Sequence, residues 1–551
     1  MRDFVKYGIS QAERGEKTGA DAVERHWRWR RPQAPLIVLI PSIIFALLLL
    51  IPLLYLFVRT AELGGSEIWR YLSRPRTLSA LWNTVLLGLS TTLVTISIGV
   101  PLAWLTARTD LPGRRLWLIL SVVPLVFPSF VGGYVVVAAL GPRGMLQQLL
   151  EGPFGVTRLP EIYGFPGALL TLSLFTYPYI LLSVRAALRG LDPALEESAS
   201  SLGHGPFPTF FRLTLPLLRP AITAGALLVA LYTISDFGAV SLLQYDAITR
   251  VILVQLTASL NRSGAAVLSL LLVALTLTIL AAEVWTRGRT RYYSVGSGAR
   301  RRHATIALGR WKWPALFFCA VVVFLALVMP IGVLTFWLVR GLRAGETLRA
   351  LWFTTGNSLY ASTLAALATT LVALPIAFLV VRYPGQLSRI VGRIAYLGYG
   401  LPGIVVALSL ISFGARYALP LYQTMAMLVF AYVVRFLPQA LGTVEAALNQ
   451  VSPRVEEVAR SLGYGPLQVL IRITFPLARS GIASAAALVF LTTMKELPAT
   501  LFLGPIGFET LATRIWSAAA EGFFARAAAP ALVLVLFSAL SLLPILAATR
   551  E

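Results

Sequence analysis

The chain has 551 residues, of which 57% are hydrophobic and 13% are charged, and its formal net charge is +23. Ordinary soluble domains carry about 25% charged residues, so this composition excludes a disordered chain and an ordinary soluble enzyme. Lys and Arg lie in short segments between apolar runs rather than on one basic surface, which excludes nucleic acid as the expected partner. The expected solvent is a lipid bilayer.

Membrane-crossing segments follow one another along almost the whole chain. A helix needs about 20 apolar residues to cross a bilayer, and the sequence predicts an all-α polytopic membrane protein with about twelve transmembrane helices. The predicted spans are residues 35–58, 80–106, 116–141, 164–185, 218–243, 263–286, 314–339, 356–381, 390–413, 422–444, 480–504 and 527–548. The first segment begins too late and runs too long to be a signal peptide.

The distribution of Lys and Arg predicts the orientation of these spans. With the N-terminus in the cytoplasm, the cytoplasmic segments hold 31 Lys and Arg, counting Arg185, Arg219 and Arg393 near the cytoplasmic ends of their spans, and the external loops hold 14. This excess agrees with the positive-inside rule and places both termini in the cytoplasm. We expect the densest segments to anchor the topology, with binding of anionic lipid as the lesser alternative.

The chain also repeats itself. Residues 191–243 align without a gap with residues 451–503, with 22 identities in 53 positions. Four residues recur 274 positions later: Asn83 as Asn357, Pro101 as Pro375, Arg108 as Arg382 and Pro128 as Pro402. We predict a basic cytoplasmic tail (1–34), a first six-span half (35–286), a basic linker (287–312) and a second six-span half (313–551). A pathway between two such parallel halves is a natural hypothesis.

The most conspicuous repeated stretch lies in a predicted cytoplasmic loop before the fifth span of each half. Pro193 and Pro453 follow good N-cap residues, and the next glutamates suit the start of a helix. Gly203 and Gly463 can end that helix in a left-handed conformation. A second short helix follows, and we expect the proline that closes the stretch, Pro216 in the first copy, to stop it near the next span. Such elements could dock a partner or merely connect spans, and their repetition favours docking.

This stretch resembles the signature loop of binding-protein-dependent ABC importer permeases. The matching residues are Glu197-Ser198-Ala199, Gly203 and Pro216 in the first copy, and Glu457-Val458-Ala459, Gly463 and Pro476 in the second. The double-length chain and residues 494–516 are most similar to ferric-iron permeases. The resemblance implies a type I ABC importer permease fold in a bacterial inner membrane.

The resemblance also implies the partners. In that family the loop forms a coupling helix that sits in a cleft of a separate ATP-binding subunit. The implied coupling residues are Glu196, Glu197, Ala199, Gly203, Pro216, Glu456, Glu457, Ala459, Gly463 and Pro476. The sequence has no GxxxxGK[ST] phosphate loop, so we expect ATP and magnesium on a partner ATPase homodimer. This chain is then a transport subunit rather than an enzyme, with no cofactor of its own.

A substrate-binding protein is the further partner that the resemblance implies, on the external face. Arg250 and Arg514 are the candidate docking residues, taken as equivalent at an offset of 264. They could receive acidic patches on the two lobes of that protein, or they could simply anchor the ends of spans.

Ionisable residues within spans are functional candidates, and the predicted spans contain several, among them Arg435 in the tenth. Asp236 and Glu496 occupy equivalent positions about two thirds of the way along the fifth and eleventh spans, and Lys495 is adjacent. Two carboxylates on a central path would attract a trivalent cation. A structural or gating pair, with Lys495 neutralising Glu496, is the favoured alternative, and we predict no definite metal site.

Ferric iron is the favoured substrate, and thiamine, polyamine, phosphonate and sulfate remain open. An ion-coupled secondary transporter also has twelve spans, but it does not need two docking loops. A membrane-embedded enzyme would need clustered His, Cys or carboxylates within spans, whereas His26, His204 and His303 all fall in polar connecting segments.

Overall fold

The computed structural model describes residues 34–203, 205–259, 261–286 and 305–540. Within these ranges the chain is helical almost throughout, and its extended pairing is a single isolated bridge between Thr109 and Ile306. The predicted basic tail up to residue 33, the predicted linker from 287 to 304, and all three histidines lie outside the described residues.

The helices of the first half are long and are separated by short connections. A 3-10 turn at Val123–Val126 follows α5, and a π-helical turn at Phe210–Thr214 joins α10 to α11. The helices are α1 Leu36–Leu49, α2 Ile51–Ala61, α3 Gly65–Leu72, α4 Pro75–Arg108, α5 Arg114–Val122, α6 Ser129–Leu140, α7 Met145–Phe154, α8 Phe165–Gly190, α9 Pro193–Ser201, α10 Pro206–Thr209, α11 Leu215–Ser235, α12 Gly238–Leu242, α13 Ile248–Thr257 and α14 Arg262–Thr286.

The second half repeats most of this order, but it has no counterpart of α3 and has a 3-10 turn where the first half has α7. Its π-helical turns lie at Phe324–Val328 and Leu470–Thr474, and its 3-10 turns at Gly309–Trp311, Leu397–Gly400 and Leu419–Leu421. The helices are α15 Lys312–Val323, α16 Met329–Arg343, α17 Arg349–Arg382, α18 Gln386–Tyr396, α19 Gly403–Tyr417, α20 Met425–Gln450, α21 Pro453–Ser461, α22 Pro466–Val469, α23 Phe475–Met494, α24 Pro498–Leu503, α25 Leu511–Ala520 and α26 Phe524–Ala539.

The number of membrane-length helices is close to the predicted twelve. The described residues contain ten that are long and apolar enough, or eleven when the interrupted pair Gln386–Gly400 and Gly403–Tyr417 counts as one span. The predicted twelfth span, 527–548, is helical over Phe524–Ala539, and its last residues lie outside the described part.

The predicted repeat holds at the level of the backbone. α4 and α17 are both 34 residues long and start 274 positions apart, and the elements from α8 to α10 recur from α20 to α22 at an offset of 260. The π-helical turns after α10 and α22 also correspond. The internal repeat in the sequence is therefore a repeat of structure.

Contacts divide the chain into two compact units that do not coincide with the sequence halves. Among the described residues, one unit contains those up to Leu49, Thr370–Tyr396 and Leu437–Ala485, and the other contains those of Leu50–Thr369, Leu397–Phe436 and 486–540.

Small residues allow close helix packing in the larger unit. A Cβ added at Gly99 of α4 would lie 2.7 Å from Ile180 Cβ, and one added at Gly225 of α11 would lie 3.2 Å from Ile180 Cα. Both helices therefore approach the same residue of α8 at backbone distance. This is how membrane helices gain contact where lipid offers no hydrophobic driving force.

The end of the linker is attached to the loop after α4. The Ile306 N–H donates to the Arg108 carbonyl (2.8 Å), and the Asp110 N–H donates to the Ile306 carbonyl (3.1 Å). The Leu308 N–H donates to Asp110 Oδ1 (2.9 Å), and Lys312 Nζ lies 3.6 Å from the same carboxylate. The Leu308 N–H, with Lys312 as a further contribution, lowers the pKa of Asp110 from its usual value.

Candidate functional site

The predicted loop helices form in both halves, as α9 (Pro193–Ser201) and α21 (Pro453–Ser461), which we call the loop helices. Asp192 caps the first, because its Oδ1 accepts the Ala194 N–H (3.0 Å). After each helix the chain passes through a glycine with positive φ, Gly203 at 83° and Gly463 at 89°. Glycine adopts this conformation without steric cost, which explains the residue type at both positions.

The two glutamates of each loop helix face in different directions. Glu197 and Glu457 are exposed, whereas Glu456 is 1% exposed and Glu196 is half-buried. Ala459 is buried and Ala199 is half-buried on the same inner face. The first glutamate of each pair therefore contacts the permease itself, and the second is available to a partner.

An apolar side chain projects from the end of each loop helix. Leu202 is 79% exposed and Leu462 is 73% exposed, and the two occupy equivalent positions directly before Gly203 and Gly463. One large exposed apolar residue is ordinary, but the same residue at the same place in two structural repeats indicates a surface that is built for contact.

A buried ion pair holds the second loop helix. Glu456 Oε1 accepts from Arg382 Nε (2.9 Å) and from the Thr474 hydroxyl (3.1 Å). Arg382 Nη2 donates to the carbonyls of Leu448 (3.1 Å) and Val451 (2.8 Å). The side chains of Arg382 and Glu456 are 10% and 2% exposed, so this carboxylate is both buried and fully paired.

The first loop helix has the same three residues in a looser arrangement. Glu196 Oε2 lies 3.4 Å from Arg108, and Glu196 Oε1 accepts from the Thr214 hydroxyl at 3.2 Å. The Arg108 side chain is 2% exposed. Arg108 and Arg382 were not predicted to belong to this site, although their recurrence at a fixed offset was the available signal.

The structure corrects the role expected for Pro216 and Pro476. We expected each proline to end the second short helix, but the chain stays helical through the π-helical turn and into the fifth span. Proline lacks an N–H and its ring crowds the preceding turn. A π-turn, with its wider hydrogen-bond spacing, ends two residues before each proline and accommodates it.

Asp236 and Glu496 lie at breaks between helices rather than within continuous spans. α11 ends at Ser235 and α12 begins at Gly238, while α23 ends at Met494 and α24 begins at Pro498. Asp236 Oδ1 accepts the N–H groups of Ala239 (2.9 Å) and Val240 (3.2 Å). Glu496 Oε1 accepts the Ala499 N–H (3.1 Å). Each buried carboxylate thus caps a short helix, and a role on a transport pathway stays a prediction.

The partner of Glu496 is Arg435, not the adjacent Lys495 that we expected. Arg435 Nε lies 3.0 Å from Glu496 Oε2, and Glu496 is 4% exposed. Among the described residues Lys495 forms no ion pair with Glu496. Sequence reasoning noted Arg435 as ionisable but had no signal for this pairing, because the two residues belong to different spans.

The position of Arg435 is occupied by Phe175 in the first half, and each residue has a glycine beside it. A Cβ on Gly403 would lie 2.7 Å from the Arg435 guanidinium carbon, and one on Gly132 would lie 2.5 Å from the Phe175 ring. The residue equivalent to Gly403 is Ser129, a hydrogen-bond partner of Asp236. The two halves therefore contain two internally consistent versions of one site.

Arg250 and Arg514 are close to equivalent but differ by one position. α13 and α25 begin 263 residues apart, so Arg250 is the third residue of its helix and Arg514 is the fourth. Each pairs with an acidic residue just before its helix, Arg250 with Asp246 and Arg514 with Glu509. Their role in docking a binding protein stays a prediction.

The described ranges contain no group of three or more His, Cys, Asp or Glu side chains placed to hold a metal ion. Residues 99–347 and 369–549 each match the family described as the binding-protein-dependent transport system inner membrane component. The chain belongs to this family. It carries two copies of the family domain in one polypeptide, as the internal repeat indicates.

Similar proteins that are described as transport-system permeases agree with this family membership. The chain is 36% identical over 513 residues to the Fe(3+)-transport system permease protein FbpB 2 of Haemophilus influenzae, covering 92% of this chain and 97% of that protein. It is 25% identical over 461 residues to the ferric transport system permease protein FbpB of Actinobacillus pleuropneumoniae, covering 79% and 66%. It is also 35% identical over 162 residues to the molybdenum transport system permease protein ModB of Escherichia coli, covering 29% and 69%.

These matches confirm the predicted class, a multi-pass inner-membrane permease of the ABC transporter type built from two homologous halves. The resemblance to ABC importer permeases that we inferred from the loop motif therefore reflects membership of the same family.

Proposed function

We propose that this chain is the membrane-spanning subunit of an ATP-driven importer of ferric iron. An external binding protein delivers the iron, and a separate ATPase homodimer on the cytoplasmic side drives its passage. Both termini lie in the cytoplasm in this arrangement, and ATP and magnesium bind the ATPase rather than this chain.

The matched pair of loop helices supports this proposal most directly. Each presents an exposed glutamate and an exposed leucine before a left-handed glycine, and each has an inner glutamate fixed to the permease. Two similar projections fit a partner with two similar sockets, which a homodimer supplies by its symmetry. A secondary transporter has no use for such a pair.

Ferric iron is supported by similarity over nearly the full chain. The relative that is 36% identical and is covered over 97% of its length is described as a permease for Fe(3+). The molybdenum permease matches over 29% of this chain. For the substrate, similarity to the Fe(3+) permease over both halves therefore has more weight than similarity to the molybdenum permease over part of one chain.

The test is reconstitution of the chain with its ATPase in lipid nanodiscs, with candidate binding proteins added one at a time. We expect binding protein loaded with ferric iron to stimulate ATP hydrolysis at least several-fold. Proteins loaded with molybdate, sulfate, phosphonate, thiamine or polyamine are the comparison. Stimulation by one of these instead would keep the class and replace the substrate, and failure to assemble with any ATPase would refute the proposal.

A variant separates docking from folding. Gly203→Asp combined with Gly463→Asp places a side chain and a charge at the two left-handed positions, where an added Cβ meets nothing within 4 Å. We expect this variant to insert normally but to lose stimulated ATP hydrolysis. Gly155→Asp is the matched control, because Gly155 also has positive φ and open surroundings but lies far along the chain from both loop helices.

A further inference from the structure

Glu196 and Glu456 fall within the motif that resembles an ATPase-docking loop, yet their carboxylates contact the permease. Glu456 is 1% exposed and bonded to Arg382 and Thr474. A side chain so placed cannot reach a partner protein. Its function must concern the link between the loop helix and the rest of the permease.

That link joins three elements at one point in each half. Arg108 and Arg382 are the last residues of α4 and α17, the 34-residue helices that form the second span of each half. Thr214 and Thr474 are the last residues of the π-helical turns that lead into the fifth spans. The inner glutamate of each loop helix contacts both, so one carboxylate connects the loop helix to two spans.

We propose that Arg108 and Arg382 are positioning residues that transmit movement of the loop helices to the second and fifth spans. This inference rests on the proposed function, because it presumes that an ATPase moves the loop helices. In each half the arginine fixes the end of a long span to the inner glutamate, and the threonine fixes the start of the fifth span to the same group.

The physical chemistry of buried ion pairs explains why such a link would be polar. A buried pair adds little net stability over an apolar pair of similar volume, because both charges lose their hydration. It does impose a defined distance and direction, since the charged groups must stay together. An apolar contact of equal stability can slide, whereas a hydrogen-bonded pair moves as a unit.

The two links are not equally tight. Arg382 lies 2.9 Å from its glutamate and also bonds two carbonyl groups at the end of α20, whereas Arg108 lies 3.4 Å from its glutamate. We therefore expect substitutions of Arg382 to have the larger effect on coupling.

The experiment uses the complete transporter in proteoliposomes and measures two quantities, the rate of ATP hydrolysis and the number of ferric ions imported per ATP. The decisive variant is Arg382→Met combined with Glu456→Leu, which replaces the ion pair by apolar side chains. We expect this protein to fold and to keep its bound ATPase, with a melting temperature lowered by a few degrees because the Leu448 and Val451 carbonyls lose their donor. We expect it to import at least tenfold fewer ions per ATP.

Two further variants test the pairing itself. Arg382→Gln leaves Glu456 with only one cation contact, the longer one to the exposed Arg460 (3.5 Å), and should also lower import per ATP at least tenfold. Arg382→Glu with Glu456→Arg restores a pair of opposite charges and should recover part of that loss. Arg389→Gln is the control, because Arg389 is exposed and its Nε donates to the Gly385 carbonyl of the preceding turn rather than to a loop helix.

Unchanged import per ATP in the apolar variant would overturn the inference, since a merely structural contact would survive that exchange. Loss of import together with loss of the bound ATPase would also overturn it, because Arg382 would then act on docking. Failure of the unsubstituted chain to couple to any ATPase would instead refute the proposed function and is seen before any variant is made.

Discussion

Replacing Gly403 with alanine should disrupt the Arg435–Glu496 ion pair without removing either partner. The added Cβ would collide with the Arg435 guanidinium, lie 2.7 Å from its central carbon and lie 3.0 Å from Glu496 Oε1. The guanidinium is the far end of a flexible side chain, so it is the group that moves. Glu496 remains at the helix break, where it caps α24 through the Ala499 N–H.

The size of the effect follows from the unequal burial of the two charges. Removing one partner of a buried pair costs about 3–5 kcal/mol. Arg435 is 27% exposed and can regain water as it turns away, whereas Glu496 is 4% exposed and cannot. We expect Gly403→Ala to lower the free energy of unfolding by about half of this amount, roughly 2 kcal/mol. Arg435→Phe alone should lower it by nearly the full amount.

The first half of the chain shows how this site is built without the arginine. It has Ser129, Phe175 and Asp236 where the second half has Gly403, Arg435 and Glu496. Phe175 also needs Gly132 beside its ring, and the equivalent position in the second half is the buried Val406. The quadruple substitution Gly403→Ser, Val406→Gly, Arg435→Phe and Glu496→Asp should therefore recover stability that the single changes lose. Gly356→Ala is the control, because a Cβ there meets nothing within 4 Å and alanine favours a helix.

The assay is thermal unfolding of the detergent-solubilised protein, followed by the loss of its monodisperse peak on size-exclusion chromatography. Gly403→Ala should lower the melting temperature by a few degrees, Arg435→Phe by more, and Gly356→Ala should not lower it. Equal melting temperatures for Gly403→Ala and Gly356→Ala would refute the reasoning, since the collision with Arg435 would then have no consequence.

Three other predictions concern separate parts of the chain. Leu462→Asp should reduce co-purification of the ATPase at least tenfold with no loss of folding, because Leu462 is 73% exposed; retention of the ATPase would contradict a docking role. Thr500→Val should destabilise by about 1–3 kcal/mol, since it leaves the buried Tyr432 hydroxyl without its 2.7 Å partner, and a cost no larger than that of exposed Thr363→Val would count against this. Asp110→Ala should speed hydrogen exchange of the Leu308 amide. The folded-state pKa of Asp110 is lowered. In the unsubstituted chain, protection of the Leu308 amide from exchange should therefore be complete above the usual pKa of Asp and be lost as the pH falls through the lowered value. Protection that does not depend on pH would show that the carboxylate does not hold the linker.

Much of the architecture could be predicted from the sequence because a membrane-spanning helix requires a long run of apolar residues. Length and hydropathy placed nearly all spans, and identity at fixed offsets revealed the repeat. The left-handed conformation of Gly203 and Gly463 was also predicted, since a glycine after a short amphipathic segment has a local cause. Each of these features is determined by neighbouring residues.

The features that were missed depend on contacts between distant segments. The apolar run continues through the break at Asp236, so composition gives no sign that a helix ends there. At Glu496 the following Pro498 was a sign that a new helix begins. The choice of Arg435 over Lys495 as the partner of Glu496 is set by packing between spans, not by adjacency in sequence. The inward direction of Glu196 and Glu456 could not be read from a nine-residue helix, but the paired recurrence of Arg108 and Arg382 was a usable signal.

The difference between Phe175 and Arg435 has a consequence for how such a permease can evolve. In a transporter assembled from two identical chains, every mutation is present twice, so a cation introduced on one side is also introduced on the other. In a chain that contains both halves, a mutation changes one half and leaves the other unchanged. Gly403 could then remain small beside Arg435 while Ser129 kept its hydroxyl for Asp236, and the two sides of one inherited fold could take up different tasks.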